Sequence, residues 1–308
     1  MLSTPTELPP GVRRLTCAGL AALRAGSPAD PPVVLLPGYT GSKEDYLMIM
    51  TGLAQAGFNV IAVDQRGQYE SSAADPERDC TVTALAEDVG RVVDDIGQPV
   101  HLLGHSFGGL VARAAVISRP SSAASLVLLC SGPAGIVGAR RIALRAMRVV
   151  YDRSGRDAVW AAVRAADTTV YPPGGREFLE HRFFASSDVG LRVMSEQLLD
   201  EPDRVGDLAA ATGAVDTPVL VAHGIADDAW PPHLQADMAA RLGARYEVIP
   251  GAAHSPAAES PRATEAVLID FWLKHGERSG EADRYPGPHL GAVRGVPQIE
   301  DLAVGVDP

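Results

Sequence analysis

The chain has 308 residues, of which 46% are hydrophobic, and a chain of this length and composition can bury a substantial core. Its formal net charge of −11 argues against a general nucleic-acid-binding groove. Three widely spaced cysteines without a CxxC pair are typical of a reducing compartment. No apolar run approaches the ~20 residues of a membrane span, and the first residues carry no signal-peptide core. We therefore expect a cytoplasmic protein with no membrane span.

Six short apolar runs alternate with helix-like segments along the chain. The runs are continuous and end in turn residues, as expected of parallel strands that are buried on both faces. The predicted strands are 33–37, 59–64, 99–106, 125–131, 218–224 and 246–251. The predicted helices lie near 43–56, 81–96, 106–119, 232–242 and 262–275. This alternation predicts an α/β fold with a doubly wound, mostly parallel sheet.

Two segments depart from this alternation. Residues 138–204 have a helical pattern without a convincing strand, and we interpret them as a helical layer inserted over one end of the sheet. The core would then comprise residues 1–137 and 205–276. Residues 277–308 contain Pro and Gly with little periodicity, and we expect them to form a mobile or loosely draped tail.

The stretch Gly104-His-Ser-Phe-Gly108 links a predicted strand directly to a predicted helix. Such a turn forces Ser106 into a strained backbone conformation and exposes its hydroxyl at the N-terminus of the helix. Small residues flank the serine because side chains there would clash across the turn. The GxSxG pattern alone is weak evidence, and the strand and helix around it make Ser106 a candidate nucleophile.

A serine nucleophile needs a general base and a group that orients it. His254 follows the last predicted strand, on the loop side of the sheet where it could reach Ser106. Two carboxylates, Asp227 and Asp228, follow the strand at 218–224. We choose Asp227 as the orienting acid and keep Asp228 in reserve, expecting one to face the site and the other to face solvent. The chain order Ser106, Asp227, His254 is the one that this arrangement requires.

The motifs LLPGYTG, DQRGQYES, GHSFGG, HGIADD and GAAHSP together resemble the α/β-hydrolase superfamily, in its capped single-domain form, over roughly residues 30–275. The resemblance implies an oxyanion hole built from the backbone amides of Tyr39 and Phe107. It also implies that residues 138–204 form a lid over the site. No metal or organic cofactor is expected.

The DQRGQYES segment departs from the family pattern, because Tyr69 stands where relatives have a second glycine. The loop is therefore expected to be reshaped, and Tyr69 could approach the pocket. Asp64 and Arg66 are interpreted as structural. Relatives that open epoxides or remove halides carry Asp at the nucleophile position, so Ser106 argues against both reactions.

The leading hypothesis is a serine hydrolase that cleaves a small-molecule carboxylic ester, lactone or thioester. A C–C bond hydrolase, or a cofactor-free haloperoxidase or perhydrolase, would use the same triad. A non-catalytic ligand-binding protein on this fold is the fourth alternative, and the presence of all three triad residues argues against it. The sequence leaves the oligomeric state open.

Two features of the insertion each allow two interpretations. Arg141, Arg145 and Arg148 share one helical face, which could recognise an acidic substrate or could face solvent opposite Ile142, Met147 and Val149. Five large apolar residues of the insertion could line an acyl pocket or could serve packing: Tyr171, Phe178, Phe183, Phe184 and Met194.

Overall fold

Eight strands form one sheet in a computed structural model that describes residues 8–167, 171 and 173–275. The strands are β1 (Arg13–Cys17), β2 (Leu20–Ala25), β3 (Pro32–Leu36), β4 (Asn59–Val63), β5 (Val100–His105), β6 (Ala123–Leu129), β7 (Val219–Gly224) and β8 (Arg245–Ile249). Their order across the sheet is β1-β2-β4-β3-β5-β6-β7-β8. Strands β3 to β8 run parallel to one another, whereas β2 is antiparallel to both β1 and β4. The predicted mostly parallel sheet is confirmed.

The helices connect successive strands and cover both faces of the sheet. They are α1 (Leu47–Gln55), α2 (Pro76–Asp79), α3 (Val82–Ile96), α4 (Phe107–Ser118), α5 (Gly138–Ala166), α6 (Gly175–Ala185), α7 (Asp188–Asp200), α8 (Val205–Gly213), α9 (Pro232–Leu242), α10 (Pro256–Glu259) and α11 (Pro261–His275). Short 3₁₀ turns span Lys43–Tyr46 and Pro120–Ser122. All five predicted helices are present, the first of them divided into a 3₁₀ turn and α1.

The core consists of two apolar layers, one on each face of the sheet. In β3, Val34 and Leu36 pack into the layer that contains α3 and α4, whereas Val33 and Leu35 pack into the layer that contains α1 and α11. This division follows from the period of two in a strand, which sends successive side chains to opposite faces. Strands that are buried on both faces therefore appear in the sequence as continuous apolar runs.

The sheet order reverses at β3, and this reversal determines where a site can form. The chain leaves β3 toward β4 on one side, and after β4 it crosses to β5 on the other side. Loops that diverge in this way leave a crevice beyond the carboxyl ends of the two central strands. Gly38 and Tyr39 follow β3, and Ser106 follows β5, so both loops open on this crevice.

The hairpin of β1 and β2 was not predicted from the sequence. The segment LAALRA of β2 lacks β-branched residues and alternates poorly, so its composition favours a helix. It is nevertheless a strand, because Ala22 and Leu23 pair with Val63 and Ala62 of β4. Tertiary pairing therefore overrides the local preference of this segment.

All secondary structure that the structure describes within residues 138–204 is helical, as predicted, and comprises α5, α6 and α7. Helix α7 contributes to the main core, since Leu191, Met194 and Leu198 pack into the layer with α3 and α4. The described residues belong to one compact unit. The division into a core and a separate cap stays a prediction. The predicted tail, residues 277–308, lies outside the described residues.

Candidate active site

Ser106 lies in a strained turn between β5 and α4. Its backbone has φ 53° and ψ −117°, a conformation that costs energy for any residue with a Cβ. Two glycines allow the close approach of chains around it. A Cβ at Gly104 would lie 2.2 Å from the carbonyl oxygen of Gly108, and one at Gly108 would lie 2.5 Å from the carbonyl oxygens of Leu36 and Pro37. The glycines are therefore required sterically, and the turn holds the serine hydroxyl at the crevice.

A continuous chain of hydrogen bonds joins Ser106, His254 and Asp227. The Ser106 Oγ lies 3.0 Å from His254 Nε2, and His254 Nδ1 lies 2.8 Å from Asp227 Oδ1. The carboxylate can only accept, so Nδ1 carries the proton and Nε2 is left to accept from the serine hydroxyl. The three residues come from the loops after β5, β7 and β8, which the parallel sheet brings to the same edge.

The Asp227 side chain is fully buried and accepts three hydrogen bonds. Besides His254, the backbone N–H of Ala229 donates to Oδ1 at 3.0 Å, and Gln235 Nε2 donates to Oδ2 at 2.8 Å. Burial opposes ionisation of this carboxyl, but the hydrogen bonds and the adjacent imidazole outweigh it and hold the pKa of Asp227 below its ordinary value. The acid is thus kept as a carboxylate.

Asp228 points away from this chain of hydrogen bonds. Its two carboxylate oxygens accept from Arg140 at the start of α5, each at 2.9 Å, and its side chain is 60% exposed. The structure therefore places Asp227 against His254, and it places Asp228 at the surface.

The loop after β3 lies directly against Ser106. A Cβ at Gly38 would come within 3.2 Å of Ser106 Cβ, and Tyr39 lines the same cavity as Ser106. Within residues 8–167, 171 and 173–275, the backbone N–H groups of Tyr39 and Phe107 donate no hydrogen bond. Both amides remain available to a ligand.

His105 is a neighbour whose role was not recognised from the sequence. Its Nε2 donates to the backbone carbonyl of His254 at 2.6 Å, which connects the loop that carries His254 to the serine turn. Burial lowers the pKa of His105 to about 4, so the ring is neutral near pH 7. A neutral ring adds no positive charge beside His254.

A cavity of about 380 Å³ opens on Ser106 and His254. Its wall combines apolar side chains, among them Leu129, Leu179 and Tyr171, with three charged ones. Arg182 of α6 is paired with Asp45 at 2.5 Å, and the Glu259 carboxylate accepts from the backbone N–H of Ala253. Asp45 and Arg182 therefore neutralise each other, whereas the Glu259 carboxylate is held by a backbone hydrogen bond.

Most of the apolar residues that were candidates for an acyl pocket serve packing instead. Tyr171 lines the cavity, whereas Phe178 packs edge-on against Tyr69, and Phe183 and Phe184 lie against Trp160. Met194 is completely buried in the main core.

Two of the three arginines of α5 differ from both interpretations of the sequence, whereas Arg145 is exposed, as the solvent-facing interpretation expects. Arg141 pairs with Asp200 and Arg148 with Glu196, both on α7, whereas Ile142 is 71% exposed and Val149 is 48% exposed. Met147 is half-buried, so the expected inward apolar face was wrong for Ile142 and Val149. Acidic partners on α7 draw Arg141 and Arg148 toward the protein.

The DQRGQYES loop is held by ion pairs. Asp64 accepts from Lys43 Nζ at 2.7 Å, and Arg66 pairs with Asp79 and Asp88. Tyr69 has a positive φ of 41°, the conformation that a glycine would adopt easily. Its ring packs on Phe178 and is absent from the wall of the cavity at Ser106.

One group of side chains in the described residues has the spacing of metal ligands. It consists of His105, Cys130 and His254, whose ligand atoms lie within 4.8 Å of one another. Both ring nitrogens of His254 and Nε2 of His105 already form hydrogen bonds, and burial raises the pKa of the Cys130 thiol well above its usual value. These groups are better suited to hydrogen bonding than to holding a cation. No helix among the described residues has the length and apolar character to cross a membrane.

Two curated proteins match parts of this chain. RutD of Variovorax paradoxus (strain S110), a candidate carbamate hydrolase, is 39% identical over 104 residues, which are 33% of this chain and 39% of RutD. Epoxide hydrolase B of Mycobacterium tuberculosis is 34% identical over 120 residues, which are 37% of this chain and 34% of that protein. The chain thus aligns with well under two thirds of either relative.

A solved structure from a study of carboxylesterases of Nitrososphaera gargenis shares the fold. It has a TM-score of 0.70 and 18% identity, and the match covers 86% of this chain and 99% of that one. The family model described as "Alpha/beta hydrolase family" matches residues 33–267. With most of its length matched by that model, this chain is an enzyme of the α/β-hydrolase family.

Proposed function

We propose that this hydrolase cleaves a small-molecule carboxylic ester, lactone or thioester through an acyl-enzyme intermediate. The hydrogen-bonded chain from Ser106 through His254 to Asp227 is the observation that carries the proposal. A hydroxyl is a weak nucleophile on its own, and this arrangement supplies the base and the orienting acid that it needs.

In the proposed mechanism, the Ser106 hydroxyl attacks the substrate carbonyl while His254 Nε2 takes its proton. Asp227 holds the ring in the required tautomer and stabilises the imidazolium. The free amides of Tyr39 and Phe107 bind the developing oxyanion. His254 then returns the proton to the leaving group, and a water molecule that it activates hydrolyses the acyl-enzyme.

We further propose that residues 138–204 act as a lid over the cavity. Arg182 and Tyr171 from this segment line the cavity that opens on Ser106, and Arg182 pairs with Asp45 of the core. Closure over the site would exclude water from the reacting groups. A cavity of about 380 Å³ fits acyl groups of short or medium length.

The test is hydrolysis of p-nitrophenyl esters with acyl chains from C2 to C12 by the wild type and by Ser106→Ala. Turnover should vanish in the variant, because the nucleophilic oxygen is removed and the fold is retained. Ser255→Ala is the matched control, since it removes another hydroxyl from the wall of the same cavity. Its activity should stay within about twofold of wild type, as expected for a cavity residue without a catalytic role.

Full activity in folded Ser106→Ala would overturn the proposed nucleophile. If folded wild-type protein hydrolyses none of the esters, the ester class is wrong. A diketone, and acetate with hydrogen peroxide, are then the substrates to assay, because C–C bond hydrolysis and perhydrolysis would use the same triad.

A further inference from the structure

Gln235 is a fully buried polar residue in α9 that the sequence did not bring to attention. Its Nε2 donates two hydrogen bonds, one to Asp227 Oδ2 at 2.8 Å and one to the carbonyl oxygen of Trp230 at 2.9 Å. The second bond fixes the direction of the first, because Trp230 belongs to the same loop as Asp227.

The side-chain oxygen of Gln235 is also buried, and no group in the described part of the chain forms a hydrogen bond with it. A buried amide oxygen without a partner reduces stability, and an apolar side chain of the same length would avoid this loss. Gln235 lies on the same helical face as the buried Met238 and Ala239, where an apolar residue is expected. Packing therefore does not explain an amide at this position, whereas donation to Asp227 does.

The two oxygens of Asp227 have separate partners. Oδ1 accepts from His254 and from the backbone of Ala229, whereas Oδ2 accepts from Gln235. The buried Cys130 thiol also lies within hydrogen-bonding reach of the Asp227 side chain, but a thiol is a weaker donor than the Gln235 amide. A carboxylate with donors on one oxygen alone could rotate about its Cβ–Cγ bond. The Gln235 bond to Oδ2 prevents this rotation and keeps Oδ1 in line with His254 Nδ1.

We propose that Gln235 is a positioning residue for catalysis: it fixes the carboxylate of Asp227 and draws part of its negative charge away from His254. This inference rests on the proposed function, because it assigns Gln235 a role through the triad. It predicts an effect on the rate and on the pH dependence of the reaction, which a residue that only fills space would not produce.

The test is Gln235→Met, which keeps the length of the side chain and removes the donor. We expect kcat to fall about tenfold with little change in KM, as for loss of an interaction that acts mainly in the transition state. In the profile of kcat/KM against pH, the acid limb should move to higher pH by about 0.5–1 pH unit. The reason is that the carboxylate, without the Gln235 donor, stabilises the imidazolium more strongly. Both measurements use the ester on which the wild type is most active.

A double-mutant cycle with Asp227→Asn tests whether Gln235 affects kcat through Asp227. If Gln235 acts through Asp227, then Gln235→Met should change kcat by less than about twofold in the Asp227→Asn background. Thr212→Val is the control. It removes another buried side-chain donor, which hydrogen-bonds the carbonyl oxygens of Leu208 and Ala209 within α8, and it should leave kcat and the acid limb unchanged.

Wild-type kcat and an unmoved acid limb in folded Gln235→Met would overturn the inference, as would an equal loss of kcat in both backgrounds. If Gln235→Met does not fold, Gln235→Leu provides the second test, because it also replaces the donor by an apolar side chain. It should likewise lower kcat and move the acid limb to higher pH, and a wild-type profile would overturn the inference. Turnover that persists in Ser106→Ala would instead refute the proposed function. The Ser106→Ala assay therefore distinguishes failure of the proposed function from failure of the role assigned to Gln235.

Discussion

Replacing Gly108 by alanine should both destabilise the fold and impair the proposed oxyanion hole. The added Cβ would lie 2.5 Å from the carbonyl oxygens of Leu36 and Pro37, at least 0.5 Å inside the closest separation that real Cβ atoms show. These oxygens are main-chain atoms, so no side chain can rotate to relieve the contact. Helix α4 and the loop after β3 must therefore move apart.

The magnitude follows from two opposing contributions. Overpacking of this kind costs about 1–3 kcal/mol, whereas alanine is favoured over glycine in a helix by about 1 kcal/mol. Two main-chain contacts place this substitution at the upper end of the overpacking range, about 2–3 kcal/mol, so the net loss is about 1–2 kcal/mol and should lower Tm by roughly 2–8 °C. Because the two moving segments carry the amides of Phe107 and Tyr39, their separation should also lower kcat by roughly 10–100-fold.

Thermal unfolding and ester hydrolysis measure the two effects on the same samples. Gly206→Ala is the matched control, since a Cβ there meets nothing within 4 Å. It should raise the stability by about 0.5 kcal/mol, because alanine has the higher helix propensity, and leave kcat unchanged. If Gly108→Ala keeps the wild-type Tm and kcat, the steric argument for the serine turn is refuted.

Asp227→Asn should lower kcat by roughly 10³-fold or more, because the orienting carboxylate is lost, whereas Asp228→Asn should lower kcat by less than about twofold. Equal losses of kcat in the ester assay would contradict the proposed roles. Lys43→Met should lower the free energy of unfolding in urea by about 3–5 kcal/mol, since it leaves the buried Asp64 carboxylate without its counter-ion. Burial lowers the pKa of His101 to about 4, so the stability from its neutral ring is complete above its unfolded pKa of about 6.5 and is lost as the pH falls toward 4. Urea unfolding at pH 7 and pH 5 should show this loss, and His101→Gln should reduce it by about 2 kcal/mol.

Local sequence determined the six parallel strands and the serine turn. Apolar runs such as residues 33–37 and 125–131 have no polar side that could face water. Each run must therefore be buried all round, and runs this short are typical of strands that are buried on both faces of a sheet. The turn at Ser106 was equally predictable, because glycines at 104 and 108 are a steric requirement of a direct connection from strand to helix. The apolar runs and the glycines of the turn are both local patterns, formed by residues that are close together in the sequence.

Contacts between residues far apart in the sequence determined the elements that were not predicted correctly. The alanine-rich β2 became a strand because β4 offered an edge to pair with. In α5, Arg141 and Arg148 turned toward the protein because Asp200 and Glu196 lie opposite them on α7, 59 and 48 residues later in the chain. Helical periodicity reports the spacing of polar residues, but it does not reveal the charges on a helix that packs against them.

The sequence predicted only part of the site. It limited the choice of the orienting acid to Asp227 or Asp228, because a carboxylate was required after the strand at 218–224 and two were present. Only the tertiary structure placed one against His254 and the other against Arg140. It likewise brought Gln235 to Asp227, because the direction of a loop carboxylate depends on how β7, α9 and the loop after β8 pack together, and no local pattern encodes that packing.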